Sequence, residues 1–159
     1  MMVRTKLLFT MTAALCFAAP AAAQSRDTTF EALQARGRKA MGVDQYTSTH
    51  RFDSLPDGGR IELQRDVDDP AGVKTIHAHL REIVEEFRKG DFSTPFAVHA
   101  HEVPGTRVMA AKKNAIRYEF RELPRGGEVR LITTDAEALA AIHAFLAFQR
   151  EDHHAGGKH

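Results

Sequence analysis

Cysteine is nearly absent from this 159-residue chain: Cys16 is the only one. Charge of one sign is missing too, since 22 Lys and Arg stand against 21 Asp and Glu. No apolar run reaches the roughly 20 residues that a membrane-spanning helix takes. Local catalytic signatures are lacking: there is no H-E-x-x-H, no G-x-S-x-G, no glycine-rich phosphate loop ending in lysine and no dinucleotide fingerprint. These absences weigh against the common hydrolase and nucleotide-using classes. The near-neutral balance argues against a nucleic-acid partner, which calls for a basic face.

The first 23 residues read as a secretory leader. Arg4 and Lys6 precede an apolar run from Leu7 to Ala19, and Ala21-Ala22-Ala23 closes the segment before Gln24. A charged start, a short apolar core and an A-x-A-like end predict a cleaved signal peptide over residues 1–23 and an exported, periplasmic or secreted product. Leu15 stands where lipidation at Cys16 would call for a small residue. Cleavage would leave 136 residues with 20 bases, 21 acids and no cysteine. That excludes disulfides, thiolate metal sites and cysteine nucleophiles from the mature chain, and leaves it no membrane span. Histidine is plentiful by contrast, and all nine copies follow residue 23.

Hydrophobic periodicity places the elements. Phe30, Leu33 and Met41 mark a helix over 29–41 that stops at Gly42. Tyr46, Ser48, His50 and Phe52 alternate with polar residues as in a half-buried strand, and 55–59 is a Pro/Gly turn leading to a returning strand with Ile61 and Leu63. Asp69 and Pro70 open a helix whose stripe is Val73, Ile76, Leu80, Ile83, Val84 and Phe87, with Gly90 as its stop. Phe96, Val98 and Ala100 alternate with Ala97, His99 and His101, which predicts a short strand. A second hairpin spans 116–133, and Asp135 caps a last helix running to about Arg150.

The two hairpins resemble each other. Residues 55–63 read L-P-D-G-G-R-I-E-L and residues 123–131 read L-P-R-G-G-E-V-R-L, with Phe52 and Phe120 at the same offset. Further on, I-H-A-H-L at 76–80 meets I-H-A-F-L at 142–146. This predicts a single α+β domain over 24–152: a duplicated β-β-α unit (45–90 and 114–150), an insert at 91–113, and a His/Gly-rich tail at 153–159. Its antiparallel sheet of four to five strands would carry the helices on one face. Turn chemistry shared by two unrelated hairpins is the alternative. Under the duplication, His77 and His143 are equivalent and sit at the same edge of their helices' apolar stripes.

The chemistry open to the mature chain lies in its imidazoles and one thioether. In a strand, residues i and i+2 share a face, so His99 and His101 form the best local chelate. His77 and His79 have the same spacing on a helix, where they diverge. His50 shares the face of Tyr46 and Phe52. Met109 is one of two methionines after residue 23. A histidine-rich set with methionine and no cysteine suits copper, and histidine alone suits zinc. The ordinary roles of these residues are hydrogen-bonded core histidine, surface ion pair and gap-filling methionine.

Met41-Gly42-Val43-Asp44-Gln45, Thr49-His50-Arg51-Phe52, Asp57-Gly58-Gly59, Gly90-Asp91-Phe92, Pro104-Gly105, Met109 and Ile142-His143-Ala144-Phe145-Leu146 together resemble a family of small exported bacterial proteins of unsettled function. Some of those relatives carry an aspartate carbamoyltransferase label. This chain is too short for that enzyme's two α/β domains and lacks its Ser-Thr-Arg-Thr phosphate signature. The resemblance points to His50, His79, His99, Met109 and His143; symmetry and chelation add His77 and His101. The leading expectation is a periplasmic metal-binding protein, copper first and zinc second, for sequestration or delivery. Its metal ligands come from His50, His79, His99, His101, Met109 and His143. A metal-free module for a small ligand or an envelope protein partner is the alternative, and an enzyme of unknown reaction the third.

Overall fold

A computed structural model describes residues 21–153. Residues 1–20 of the expected signal peptide, and 154–159 of the tail, lie outside the described residues. Among the described residues no helix is long and apolar enough to cross a membrane.

The chain runs α1 (Ala21–Met41), β1 (Ser48–Leu55), β2 (Gly58–Arg65), α2 (Pro70–Lys89), α3 (Ser93–His99), α4 (Thr106–Ala111), β3 (Ile116–Leu123), β4 (Gly126–Thr133) and α5 (Ala136–Asp152). It is an α+β fold. The four strands form one antiparallel sheet in the order β1-β2-β4-β3. Ile61 pairs with Val129 at the centre, flanked by Phe52 on one side and Phe120 on the other. Residues that correspond between the two hairpins thus face each other across an approximate twofold axis through that central pair.

Helices α2 and α5 cover one face of the sheet, and they do so crosswise. Helix α2 lies against β4 and β3 of the second hairpin, while α5 lies against β1 and β2 of the first. Each β-β-α unit therefore buries its helix on the other unit's strands, so neither has a core alone. Asp69 starts α2 by accepting from the Gly72 amide at 2.9 Å, and Gly90, in the left-handed region at φ 78°, ends it. Asp135 caps α5 through the amides of Glu137 and Ala138. Ile76, Leu80, Phe87, Ile142, Phe145 and Leu146 from these helices meet Leu63, Tyr118, Val129 and Leu131 from the strands, all buried. Each such aliphatic or aromatic side chain contributes on the order of 1.5–3 kcal/mol.

The paired glycines of the two turns follow from this crossing. A Cβ on Gly58 would lie 1.9 Å from the Leu131 carbonyl oxygen, and one on Gly126 would lie 2.0 Å from that of Leu63. One residue on, a Cβ on Gly59 would meet Leu146 of α5 at 2.1 Å, and one on Gly127 would meet Phe120 of β3 at 2.7 Å and Leu80 of α2 at 3.1 Å. Turn conformation alone suggests one glycine per turn. Close approach of a neighbouring strand and then of the opposite unit's helix accounts for two.

The insert differs from its sequence pattern. Instead of a strand, residues 93–99 form α3 and 106–111 form α4. Pro95, Val98 and His99 are the buried residues of α3, a spacing of three and four that suits a helix, whereas Phe96 is 54% exposed. The apparent alternation counted Phe96 as an inward residue. Arg36 Nε donates to the Val98 carbonyl at 2.6 Å and ties α1 to α3, so both pack at the β1 side of the molecule.

The uncovered sheet face carries a lattice of charge. Arg60 pairs with Asp53 and also lies 3.6 Å from Glu62 and 3.8 Å from Glu128. Arg121 reaches Glu119 and Glu128, and Arg130 reaches Asp57. The signs are inverted between the units: Arg60 corresponds to Glu128, Glu62 to Arg130 and Asp53 to Arg121. Most of these pairs lie within one unit, and Arg60–Glu128 and Arg130–Asp57 link the two.

Candidate functional site

Between β1, β2, α2, α3 and α5 lies a cavity of about 80 Å³, against the roughly 10–15 Å³ that one water needs. Its walls are apolar, among them Phe52, Leu63, Leu80, Ile83, Phe87 and Phe145. The polar groups facing it are mostly imidazoles. His50 comes from β1, His79 from α2, His99 from the end of α3 and His153 from the turn after α5, with Met41 at the end of α1. Four of the nine histidines, from four separate elements, therefore share one small space.

Local structure explains each arrival. His50 follows the strand's alternation and points to the helix-covered face with Phe52. His79 lies one residue before buried Leu80 on α2, at the rim of its apolar stripe. Met41 is the last residue of α1, before Gly42 turns the chain at φ 72°. That turn returns the chain along β1, and His50 Nε2 comes to lie 3.2 Å from Met41 Sδ.

The electrostatics keep these rings uncharged. Burial pushes His50 down to about 4, nearby His79 pushes it further the same way, and Asp66 opposes both weakly. Burial likewise lowers His79, against a small opposing pull from Glu82. Neutral imidazole carries the lone pair that a metal needs.

His99 is built differently. Its side chain is 1% exposed, with Nδ1 2.5 Å from Asp152 Oδ2 and Nε2 2.9 Å from Gln149 Oε1. Both nitrogens are engaged by the last turn of α5. The ring meets His153 edge-on at 5.0 Å, and His153 stacks on His50 with centroids 5.6 Å apart.

The residues expected from sequence fall into two groups. His50, His79 and His99 come together at the cavity. The His99–His101 chelate does not form as expected, because α3 ends between them: Ala100 takes φ 61° as its C-cap. The two rings lie 6.2 Å apart at 53°, and exposed His101 contacts its neighbour's Glu102 carbonyl instead. Met109 is fully buried in the core, away from the cavity lining. His143 Nε2 faces the carbonyl oxygens of Leu55 and Gly58 at 2.9 and 3.0 Å, and His77 Nε2 faces that of Gly126 at 2.6 Å. As expected, His77 and His143 are equivalent: each reaches the hairpin turn of the opposite unit.

Met41 and His153 were missed as site residues. Met41 reads in sequence as the last apolar residue of a helix, and His153 as the first residue of a tail. Among the described residues, no three His, Cys, Asp or Glu side chains stand together as a ready-made metal cage. No protein-family model, curated protein or solved structure matches the chain.

Proposed function

We propose that this protein binds copper, as Cu(I), where His50, His79 and Met41 meet in the cavity, and that its role is sequestration or delivery in the bacterial envelope. The contact between His50 Nε2 and Met41 Sδ at 3.2 Å carries the reading. Two donors bonded to one ion at about 2.0 Å for nitrogen and 2.3 Å for sulfur stand roughly 3.5 Å apart at tetrahedral angles. A thioether is a soft donor that favours Cu(I), and neutral imidazole suits the same ion. Cu(I) does not need a cage of three or four hard ligands, which this cavity does not present. The apolar walls favour an ion of low charge over Zn²⁺. The leader-like residues 1–23 support the envelope as its place.

The test is competitive titration of the purified protein with Cu(I), Cu(II) and Zn²⁺, alongside Met41→Leu, His50→Ala and a His154→Ala/His159→Ala variant. Met41→Leu keeps the volume and is expected to cost under about 1.5 kcal/mol of stability. The reading expects one Cu(I) per chain, loss of preference for Cu(I) over Zn²⁺ in Met41→Leu, and no change when the tail histidines are removed. Binding that disappears with His154 and His159 would place the metal on the tail and overturn it.

A second reading rests on the apolar walls: the cavity is a pocket for a small apolar or aromatic molecule oriented by neutral imidazole. It expects such molecules to raise the melting temperature of wild-type protein, with no stoichiometric copper bound.

A further inference from the structure

The sheet face turned away from α2 and α5 carries its charges in two rows. Strand pairing aligns Asp53, Arg60, Arg130 and Glu119 across β1, β2, β4 and β3, so this row reads negative, positive, positive, negative. The next row on the same face, two residues along each strand, is Arg51, Glu62, Glu128 and Arg121. It reads positive, negative, negative, positive. One row is the other with every sign reversed.

Within a single sheet this arrangement is imperfect. Arg60 stands directly across from Arg130, and Glu62 from Glu128. Like charges opposite each other on neighbouring strands destabilise a sheet. Arg60 offsets this only in part, through contacts at 3.6 Å to Glu62 and 3.8 Å to Glu128. Arg51 is exposed and has no ion pair among the described residues. The flanking rows hold one charge, Arg117; their other positions are neutral, among them Leu55, Ile132, Gln64 and Leu123.

We propose that this face is the interface of a symmetric dimer, in which two copies stack sheet to sheet about a twofold axis lying across the strands, between the two charged rows. Such an axis exchanges the rows while keeping each strand over its own counterpart. Asp53 then faces Arg51 of the second copy and Arg60 faces its Glu62. Likewise Arg130 faces Glu128 of the second copy and Glu119 faces its Arg121. All eight charges meet the opposite sign, and the central like-charged neighbours gain the partners that one sheet denies them. An axis along the strands would instead set each row over itself, like sign on like. The charge pattern therefore selects one arrangement. Stacked sheets lie about 10 Å apart, a gap that arginine and glutamate side chains from both faces fill. Four strands spaced about 4.8 Å, eight residues long at about 3.4 Å each, offer roughly 500 Å² per copy. The total is at the low end for specific interfaces, so the dimer is weak and sensitive to salt. It is independent of the copper site, which lies on the helix-covered side of the sheet.

The test is sedimentation velocity on purified protein from about 5 µM to about 0.5 mM, at about 50 and about 500 mM salt. Wild type is expected to dimerise reversibly at low salt and less at high salt. Arg51→Glu sets the introduced carboxylate against Asp53 of the second copy, twice per dimer. Asp53→Arg sets the introduced guanidinium against Arg51, again twice. Each variant alone is expected to dimerise roughly 100-fold more weakly. Mixed in equal amounts they are expected to dimerise about as tightly as wild type, because in the mixed pair every opposed charge differs in sign again. Arg121→Glu and Glu119→Arg repeat the experiment at the other edge of the sheet, so a folding defect in one variant does not decide the outcome.

A wild type that stays monomeric across this range overturns the proposal. A dimer that none of the four reversals weakens is built on another face and overturns it equally. If both mixtures fail to recover, the axis across the strands is wrong and the proposed arrangement falls.

Discussion

His77 and His143 stand at equivalent points on α2 and α5, and each hydrogen-bonds the hairpin turn of the opposite unit. The imidazole N–H of His77 donates to the Gly126 carbonyl, and that of His143 is shared between the carbonyls of Leu55 and Gly58. Residues 58 and 126 are themselves equivalent in the L-P-x-G-G repeats. The same crosswise exchange governs the packing of α2 and α5 and the placement of the turn glycines. The two histidines are therefore fasteners between the halves, sited well apart from the duties proposed for His50.

His143→Ala leaves the turn carbonyls of the first hairpin without their imidazole donor. It is expected to destabilise the protein by about 1–3 kcal/mol and to leave Cu(I) affinity unchanged. Urea denaturation beside a copper titration checks this. A tenfold loss of affinity in a well-folded variant would put His143 back among the ligands.

Met109→Ala removes a fully buried side chain and is expected to cost about 2–5 kcal/mol, whereas Met109→Leu costs under about 1.5. Neither alters copper binding on this account. Loss of Cu(I) affinity in Met109→Leu, at unchanged stability, would contradict the separation of Met109 from the site.

Tyr118 is wholly buried and its hydroxyl has no hydrogen-bond partner among the described residues; burial drives its ionisation up, out of the ordinary tyrosine range. Tyr118→Phe takes away an unsatisfied polar atom while keeping the ring. It is expected to be neutral or to stabilise by about 1 kcal/mol. A clear loss of stability in thermal unfolding would show that the hydroxyl has a partner.

Stability is expected to fall in mild acid. His50 titrates near 4 in the fold and near 6.5 unfolded, so between those values the unfolded chain binds more protons. Stability therefore rises with pH through that window, is fully present above about 6.5 and is lost as pH falls toward 4. The shift sets an upper limit of about 3 kcal/mol, and His79, lowered in the same direction, adds to the slope. Denaturation midpoints from pH 7.5 to 4.5 for wild type and His50→Gln test this: the variant has the flatter profile. Equal slopes would mean that His50 is not held neutral.

Much of the fold is legible in the sequence, because both hairpins and both long helices obey simple periods and are punctuated by Gly, Pro and Asp. The repeat in residues 55–63 and 123–131 also announces the symmetry. What it does not announce is which helix covers which hairpin, since Leu80 and Leu146 look alike wherever they land. The insert misleads because Phe96 mimics an inward strand residue while the buried positions of α3 keep helical spacing. The candidate site is only half legible. His50 stands out as an imidazole on the face of Tyr46 and Phe52, whereas His79 reads as a residue on the polar side of its helix, near Glu82 and Glu86. Met41 reaches His50 only because Gly42 and the short 3-10 turn at Gln45–Thr47 bring the end of α1 against β1, and no spacing rule encodes that. His153 looks like a tail residue until α5 is seen to be held by His99.

The central claim is that a thioether and imidazoles hold one copper ion together, and X-ray absorption at the copper edge of the Cu(I)-loaded protein tests it most directly. The account predicts one sulfur scatterer with two imidazole nitrogens in wild type, and a nitrogen-only shell in Met41→Leu. A wild-type shell without sulfur, or a sulfur that persists in Met41→Leu, would contradict it.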